Sequence, residues 1–544
     1  MIADDRRGAR ATRGKVMRPA SAAASLIVVS IVAIGCRAPH RPALGAVSLP
    51  DLTLAAPSVR AQLGERYAAL TRTTTDPKAS PSDLANAYGG MGALLMAAEY
   101  RHEAEACLLN AESLAPDDFK WPYYLAHLYK DRGDVAKSQA AFERVLRVKA
   151  RYVPALVWLG GAYLDQGRPE AAQPLFERAL AEQPQSIAAL VGLGRAALAR
   201  SDYARAAEDL ERALALNPRE TAIHYPLAMA YRGLGQADKA EAHIRLRAPG
   251  TIRPADPLMF ELETMLESAV AYEVRGAKAL DEGDWKGAAA YFRKGIGLAP
   301  SNPSLHHKLG TALYLSGDAP GAADQFADAL RLSPGFAKAH YSLGVLLASN
   351  GRSVEALEHL NQAVRADPLY AEARVRLADV LRRSGRAAQS LPRYAEAAAL
   401  DPRASDAPLG YALALVDLHR YQEARDRLLE DMNQYPDRPA FVHALVRLLA
   451  AAPDASVRDG HAALRLMRDV LAREPRSVEI GELMAMTQAE LGQFGEAVTW
   501  QREALATADR VSSPDLVRRL TDALTLYEHR QPCRTPGLDE ELAH

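Results

Sequence analysis

Residues 153–186 read VPALVWLGGAYLDQGRPEAAQPLFERALAEQPQS, and this stretch decides the fold. Its small and bulky positions stand out as Leu159, Gly160, Tyr163, Gly167, Ala172, Phe176, Ala179 and Pro184. They describe a helix, a turn at Gly167, and a second helix that Pro184 stops, since proline has no N–H to give a helix interior. Gly160 and Ala172 mark where the two helices cross, because a bulky side chain there would hold the backbones apart. Tyr163 and Phe176 fill the space toward the neighbouring helix.

Working outward, the same frame returns at a fixed interval. Small residues recur at Gly92, Ala126, Gly160, Gly194 and Ala228 in steps of 34, and again at Gly276, Gly310, Gly344, Ala378 and Ala412. The copy Leu309, Gly310, Leu313, Gly317, Ala322, Phe326, Ala329, Pro334 matches the first position for position in spacing. Self-similarity at such a period is the mark of a stacked-repeat architecture. The pattern resembles the tetratricopeptide repeat over nearly all of residues 82–510. That resemblance implies an all-α solenoid of about 12 helix-turn-helix units forming a right-handed superhelix. One unit cannot bury its own apolar face, so stability must come from stacking.

Departures from the period divide the chain. Gly276 stands 48 residues after Ala228, 14 more than the period, and the break falls in the Pro-rich run Ala-Pro-Gly-Thr-Ile-Arg-Pro-Ala-Asp-Pro. The expected organisation is an export signal over 1–35, a tether over 36–81 with one possible helix near Val59–Leu70, and an array of about five repeats over 82–250. A Pro-rich joint over 251–266, unfit for helix where its prolines cluster, leads to about seven repeats over 267–510. A capping helix and loose tail over 511–544 complete the chain. In the eleventh unit, residues from Ala451 to Gly460 lengthen the turn between the two helices.

Composition agrees with an all-α chain: 49% of residues are apolar, much of that Ala and Leu, but only 6% are aromatic. The 66 basic and 67 acidic residues nearly cancel. Nucleic acid as main partner would call for a basic excess, so none is expected as a ligand. Cys36, Cys107 and Cys533 form no CxxC pair, and Cys107 reads as a small core residue.

The amino terminus is an address. Arg6, Arg7, Arg10, Arg13, Lys15 and Arg18 precede an apolar run that ends at Gly35-Cys36. From Ala22 to Gly35 the run is 14 residues, below the roughly 17–25 that a spanning helix needs. Ala33-Ile34-Gly35-Cys36 resembles a bacterial lipobox, although leucine is preferred where Ala33 stands. The resemblance implies cleavage before Cys36, lipidation of that residue, and a chain exported and held to a bacterial membrane only by its acyl chains, on the periplasmic or outer-membrane side. The other reading is an unmodified Cys36 in an uncleaved anchor or an ordinary secretory signal.

Catalytic patterns do not appear. The sequence has no GxxxxGK[ST], HExxH or GxSxG, and His102-Glu103 lacks the second histidine that zinc would need. His306-His307 are adjacent on a helix and point in different directions. No cofactor, metal or enzymatic activity is expected.

In the family it resembles, the first helix of each unit lines a concave groove. Carried onto this sequence, the groove positions include Tyr123, His127 and Lys130; Arg195; Tyr225, Met229 and Arg232. Farther along they include His307 and Tyr314; Lys338 and Tyr341; Asp379, Arg382 and Arg383. Tyr and Arg are enriched at interfaces, which favours a protein or peptide partner. The paired Lys and Asn residues with which some members hold a terminal carboxylate are missing: Gly89 and Ala93, Tyr123 and His127, Val157 and Gly161 stand there instead. The function expected is a non-catalytic protein-interaction scaffold of the bacterial cell envelope. The alternative is an accessory subunit presenting substrate to a separate glycosyltransferase or protease.

Overall fold

The computed structural model describes residues 44–248, 250, 252–508 and 514–536. Among these residues every regular element is helical. Twelve helical hairpins stack in chain order, five from Pro81–Ala97 to Ala237–Leu246 and seven from Ala269–Asp281 to Phe494–Ala508. The fold is an all-α solenoid. Cys36 and the export segment 1–35 lie outside the described residues.

The turn inside each hairpin explains its dipeptides. Gly133, Gly167, Gly235, Gly283, Gly317, Gly351, Gly385 and Gly492 all have φ between 71° and 90°, the left-handed region that glycine enters without a Cβ penalty. Where Asp follows, as at Asp134, Asp284 and Asp318, its side chain accepts the N–H three residues on and caps the second helix. Glu99, Ser201 and His419 take the same position with φ of 65°, 59° and 60°. They are strained where glycine would not be.

Packing explains the period itself. Each small anchor faces the bulky residue sixteen positions later on the second helix. A methyl group on Gly160 would lie 2.8 Å from Phe176, on Gly276 2.4 Å from Phe292, and on Gly310 2.6 Å from Phe326. Phe176, Phe292 and Phe326 are buried, with Ala172, Ala288 and Ala322 beside the crossing. Burying one such ring is worth roughly 1.5–3 kcal/mol, available only while the backbones stay close.

Three segments differ from the sequence expectation. From Leu44 to Pro81 the chain is no loose tether. Asn110 bonds Gly45 in both directions, at 2.8 and 2.9 Å. The helix expected near Val59–Leu70 is present as Pro57–Thr75, but it buries Val59, Leu63 and Leu70 against the first hairpin. An unpaired apolar face at the end of a stack is what draws this segment in. Past the capping helix Pro514–Glu528 the tail also packs: Cys533 is buried and Arg534 pairs with Glu490. The joint, finally, carries a helix of its own, Pro257–Met265, capped by Asp256 through Met259 N–H at 3.2 Å. Proline is tolerated in that first turn because its missing N–H would be unsatisfied there anyway.

Candidate partner-binding groove

Helices of the first stack line a hollow, and the face around it is already partly occupied by the chain itself. Segment 252–266 turns back across it. Ile252, Leu258, Met259, Met265 and Leu266 pack on the core of the first three hairpins, and Leu262 is buried there. Gln62 of the amino-terminal helix ties the far end down, receiving the Glu267 N–H at 2.9 Å.

The seat of this segment is one carboxylate. Asp256 Oδ2 accepts hydrogen bonds from the Tyr123 hydroxyl and from Trp158 Nε1, the latter at 3.3 Å. His127 Nε2 stands 3.7 Å from the same oxygen. Burial, followed by the positive charges of Lys130 and Arg253, pushes the His127 pKa down to about 3, so at neutral pH the pair is a neutral ring beside a carboxylate and not an ion pair. Tyr123, fully buried and donating to Asp256, has its hydroxyl pKa pushed far up.

Tyr123 and His127 are therefore not open groove positions, as the sequence frame alone places them; they form the floor beneath Asp256. Lys130, Arg195, Tyr225 and Met229 do come together, around a hollow of about 1180 Å³ between helices of the first stack and residues 247, 248, 250 and 252–254. Tyr225 is 54% exposed. Arg195 pairs with Asp165 at 3.1 Å, and Lys130 sits 4.6 Å over the Trp158 ring. Arg232 is exposed outside this lining.

In the second stack the predicted positions stand apart from this hollow. His307 lies half-buried against Phe326 and Phe336, its Nε2 3.0 Å from Ser342 Oγ. Burial, then Lys338 and Lys308, pull its pKa down to about 4. Tyr341 packs on Tyr370 with ring centroids 5.1 Å apart, while Tyr314 and Lys338 are exposed. Arginines of the ninth hairpin pair within the fold: Arg376 meets Asp379 at 3.3 Å and Arg382 meets Asp417 at 2.9 Å. Arg383 is exposed.

Two residues of the site were missed by the sequence frame. Trp158 falls one position beyond the groove residue Val157. Asp256 lies in the segment where the period is lost; its only signal was an Asp directly before a helix-starting proline.

A tetratricopeptide repeat model matches residues 123–187, 274–336, 307–371 and 375–439, and a second model of that name matches 197–249. The chain belongs to the tetratricopeptide repeat family. No curated protein matches it. Similar solved structures include a tetratricopeptide repeat protein from Parabacteroides merdae, at 14% identity and TM-score 0.40, covering 48% of this chain and 98% of that one. Another is YrrB, described as having an unusual peptide-binding site, at 23% identity and TM-score 0.30, covering 35% and 98%. A third is pilF of Pseudomonas aeruginosa, at 17% identity and TM-score 0.32, covering 47% and 96%. Tetratricopeptide repeat arrays are typically non-catalytic scaffolds that bind protein or peptide partners.

Proposed function

We propose that this tetratricopeptide repeat protein is a scaffold of the bacterial cell envelope, anchored by lipid on Cys36 and holding a partner protein along its concave groove. The observation that carries the groove reading is the segment through Asp256, an extended stretch of polypeptide seated on the concave face by a side-chain carboxylate. A surface that accepts its own chain in this way has the shape and donors to accept another. The envelope reading rests on the basic run, short apolar core and lipobox-like Ala33–Cys36. Lipid attachment, with a cut before Cys36, would leave about eight residues before the packed segment begins at Leu44.

Two experiments test these parts separately. Radiolabelled palmitate should enter the protein in cells and be absent from a Cys36→Ala variant; label retained by that variant ends the lipid-anchor reading. Photo-crosslinkers placed at Tyr225, Tyr314 and Tyr341 should trap one and the same protein. Trapping from the outward-facing Leu429 position, with none from the three groove positions, would move the binding site to another face.

A further inference from the structure

We propose that the hollow between the concave face of the first stack and the linking segment is a binding site for an extended acidic segment of a partner protein bearing a bulky apolar side chain. This deepens the groove reading above and rests on it, adding the chemistry of the ligand.

Charge is the first argument. Four cations, Lys130, Arg195, Arg247 and Arg253, line the hollow against one acid, Asp165, which Arg195 already engages at 3.1 Å. Among the described residues Lys130, Arg247 and Arg253 make no ion pair. A protein with a net charge of −1 has thus gathered a local positive excess in one cleft, where apolar walls strengthen the field. His127, its ring 5.3 Å from that of Trp158, has its pKa lowered first by burial and then by Lys130 and Arg253.

Shape and polarity are the second. At about 1180 Å³ the hollow exceeds the roughly 300–1,000 Å³ of sites that take small molecules, and it runs along several hairpins, as a strand of polypeptide would. Val157, Val191, Met229 and the exposed ring of Tyr225 offer apolar contact between the charges. An acidic segment without an apolar anchor would leave these walls wet, and an apolar one would leave the cations unmatched.

The third argument is independent of both. Immediately beside the hollow the chain places its own carboxylate, Asp256, with the apolar Leu258, Met259 and Leu262 following it. Trp158 belongs to both places: its N–H serves Asp256 while its ring lines the hollow beneath Lys130. The joint therefore shows at one position the ligand chemistry that the hollow is built for at the next.

The test is a selection of phage-displayed random dodecapeptides on the full-length protein in detergent. Enriched peptides should pair Asp or Glu with Leu, Ile, Phe or Trp. Their affinity should fall about tenfold or more in a Lys130→Glu, Arg253→Glu variant, and should fall with added salt. Lys130 and Arg253 carry exposed charges away from the crossings, and an unchanged melting curve would establish that the variant folds. A Leu429→Ala variant, changed at an exposed position outside the groove set, should bind the peptides as before, and a Tyr314→Ala, Tyr341→Ala variant tests the second-stack part of the groove. Enrichment of basic or uncharged peptides, or indifference to the charge reversal, overturns the proposal. If binding instead falls only in the second-stack variant, this hollow is excluded and the groove reading survives. If neither the charge reversal nor the second-stack variant affects the captured peptides, both readings fall.

Discussion

At the residue scale the array depends on what is missing from a side chain. Gly160 faces Phe176 so closely that Leu in its place must push the ring or part the helices. We expect Gly160→Leu to cost about 1–3 kcal/mol through overpacking, read as a lowered melting transition. Ser201→Gly should act in the opposite sense. With φ at 59° the serine occupies a conformation that its Cβ opposes, and glycine should raise stability by about 0.5–1 kcal/mol in a denaturant titration. Two histidines give the protein an acid-sensitive side. His127 and His307 have folded pKa values of about 3 and 4, below the ordinary value of 6.5. Between these limits the unfolded chain binds protons that the folded chain refuses. Their stabilising effect is complete above about pH 6.5 and is lost as the pH falls toward the folded values, by at most about 1.4 kcal/mol per pH unit for each ring. Replacing both by Gln should flatten the loss of stability between pH 6.5 and 4; an unchanged slope would show that other groups govern it.

At the element scale the joint is the decisive piece. Its helix Pro257–Met265 is short and would not persist alone. Asp256 makes it possible by capping it and by docking it to Tyr123 and Trp158 in the same act. Asp256→Ala should remove a cap worth about 1 kcal/mol and leave the buried Tyr123 hydroxyl without its acceptor, a further ~1–3 kcal/mol. The local expectation is faster cleavage by a trypsin-like protease after Arg247, which Ala248 follows, with the hairpins on either side intact. An unaltered cleavage pattern would mean that the apolar contacts of Leu258, Met259 and Leu262 hold the joint without the aspartate.

At the scale of the whole molecule, stability is a chain of neighbour contacts, so damage should stay near where it is made. The carboxyl-terminal end offers the sharpest case. Glu482 is buried between Arg447, at 2.7 Å, and Arg519 of the capping helix. Burial opposes its charge, but the two guanidinium groups outweigh that and hold its pKa below the ordinary range. Glu482→Ala would remove the buried carboxylate that Arg447 and Arg519 share, a loss of about 3–5 kcal/mol. Hydrogen exchange should quicken over 478–528 and remain unchanged in the first stack. Uniform quickening would indicate one cooperative unit where the repeat architecture leads us to expect several.

The sequence by itself determined the solenoid, because its repeat unit is local: anchor, turn and facing ring lie within one hairpin and recur every 34 residues. Which helix of each pair carries the groove positions came from the resemblance to the repeat family and not from the periodicity itself. What the sequence did not reveal was which of those positions are open. Tyr123 and His127 look like Tyr225 and Met229 in the repeat frame, yet the first two lie beneath Asp256, more than a hundred residues away in sequence. Likewise, residues 44–81 and 531–536 carry no repeat signal, and only the unsatisfied faces at the two ends of the stack give them a place to bind. Periodicity encodes contacts between neighbours. The hollow, its positive lining and its wall arise where a non-repeating segment folds back onto repeats far from it, and only the tertiary structure decided that.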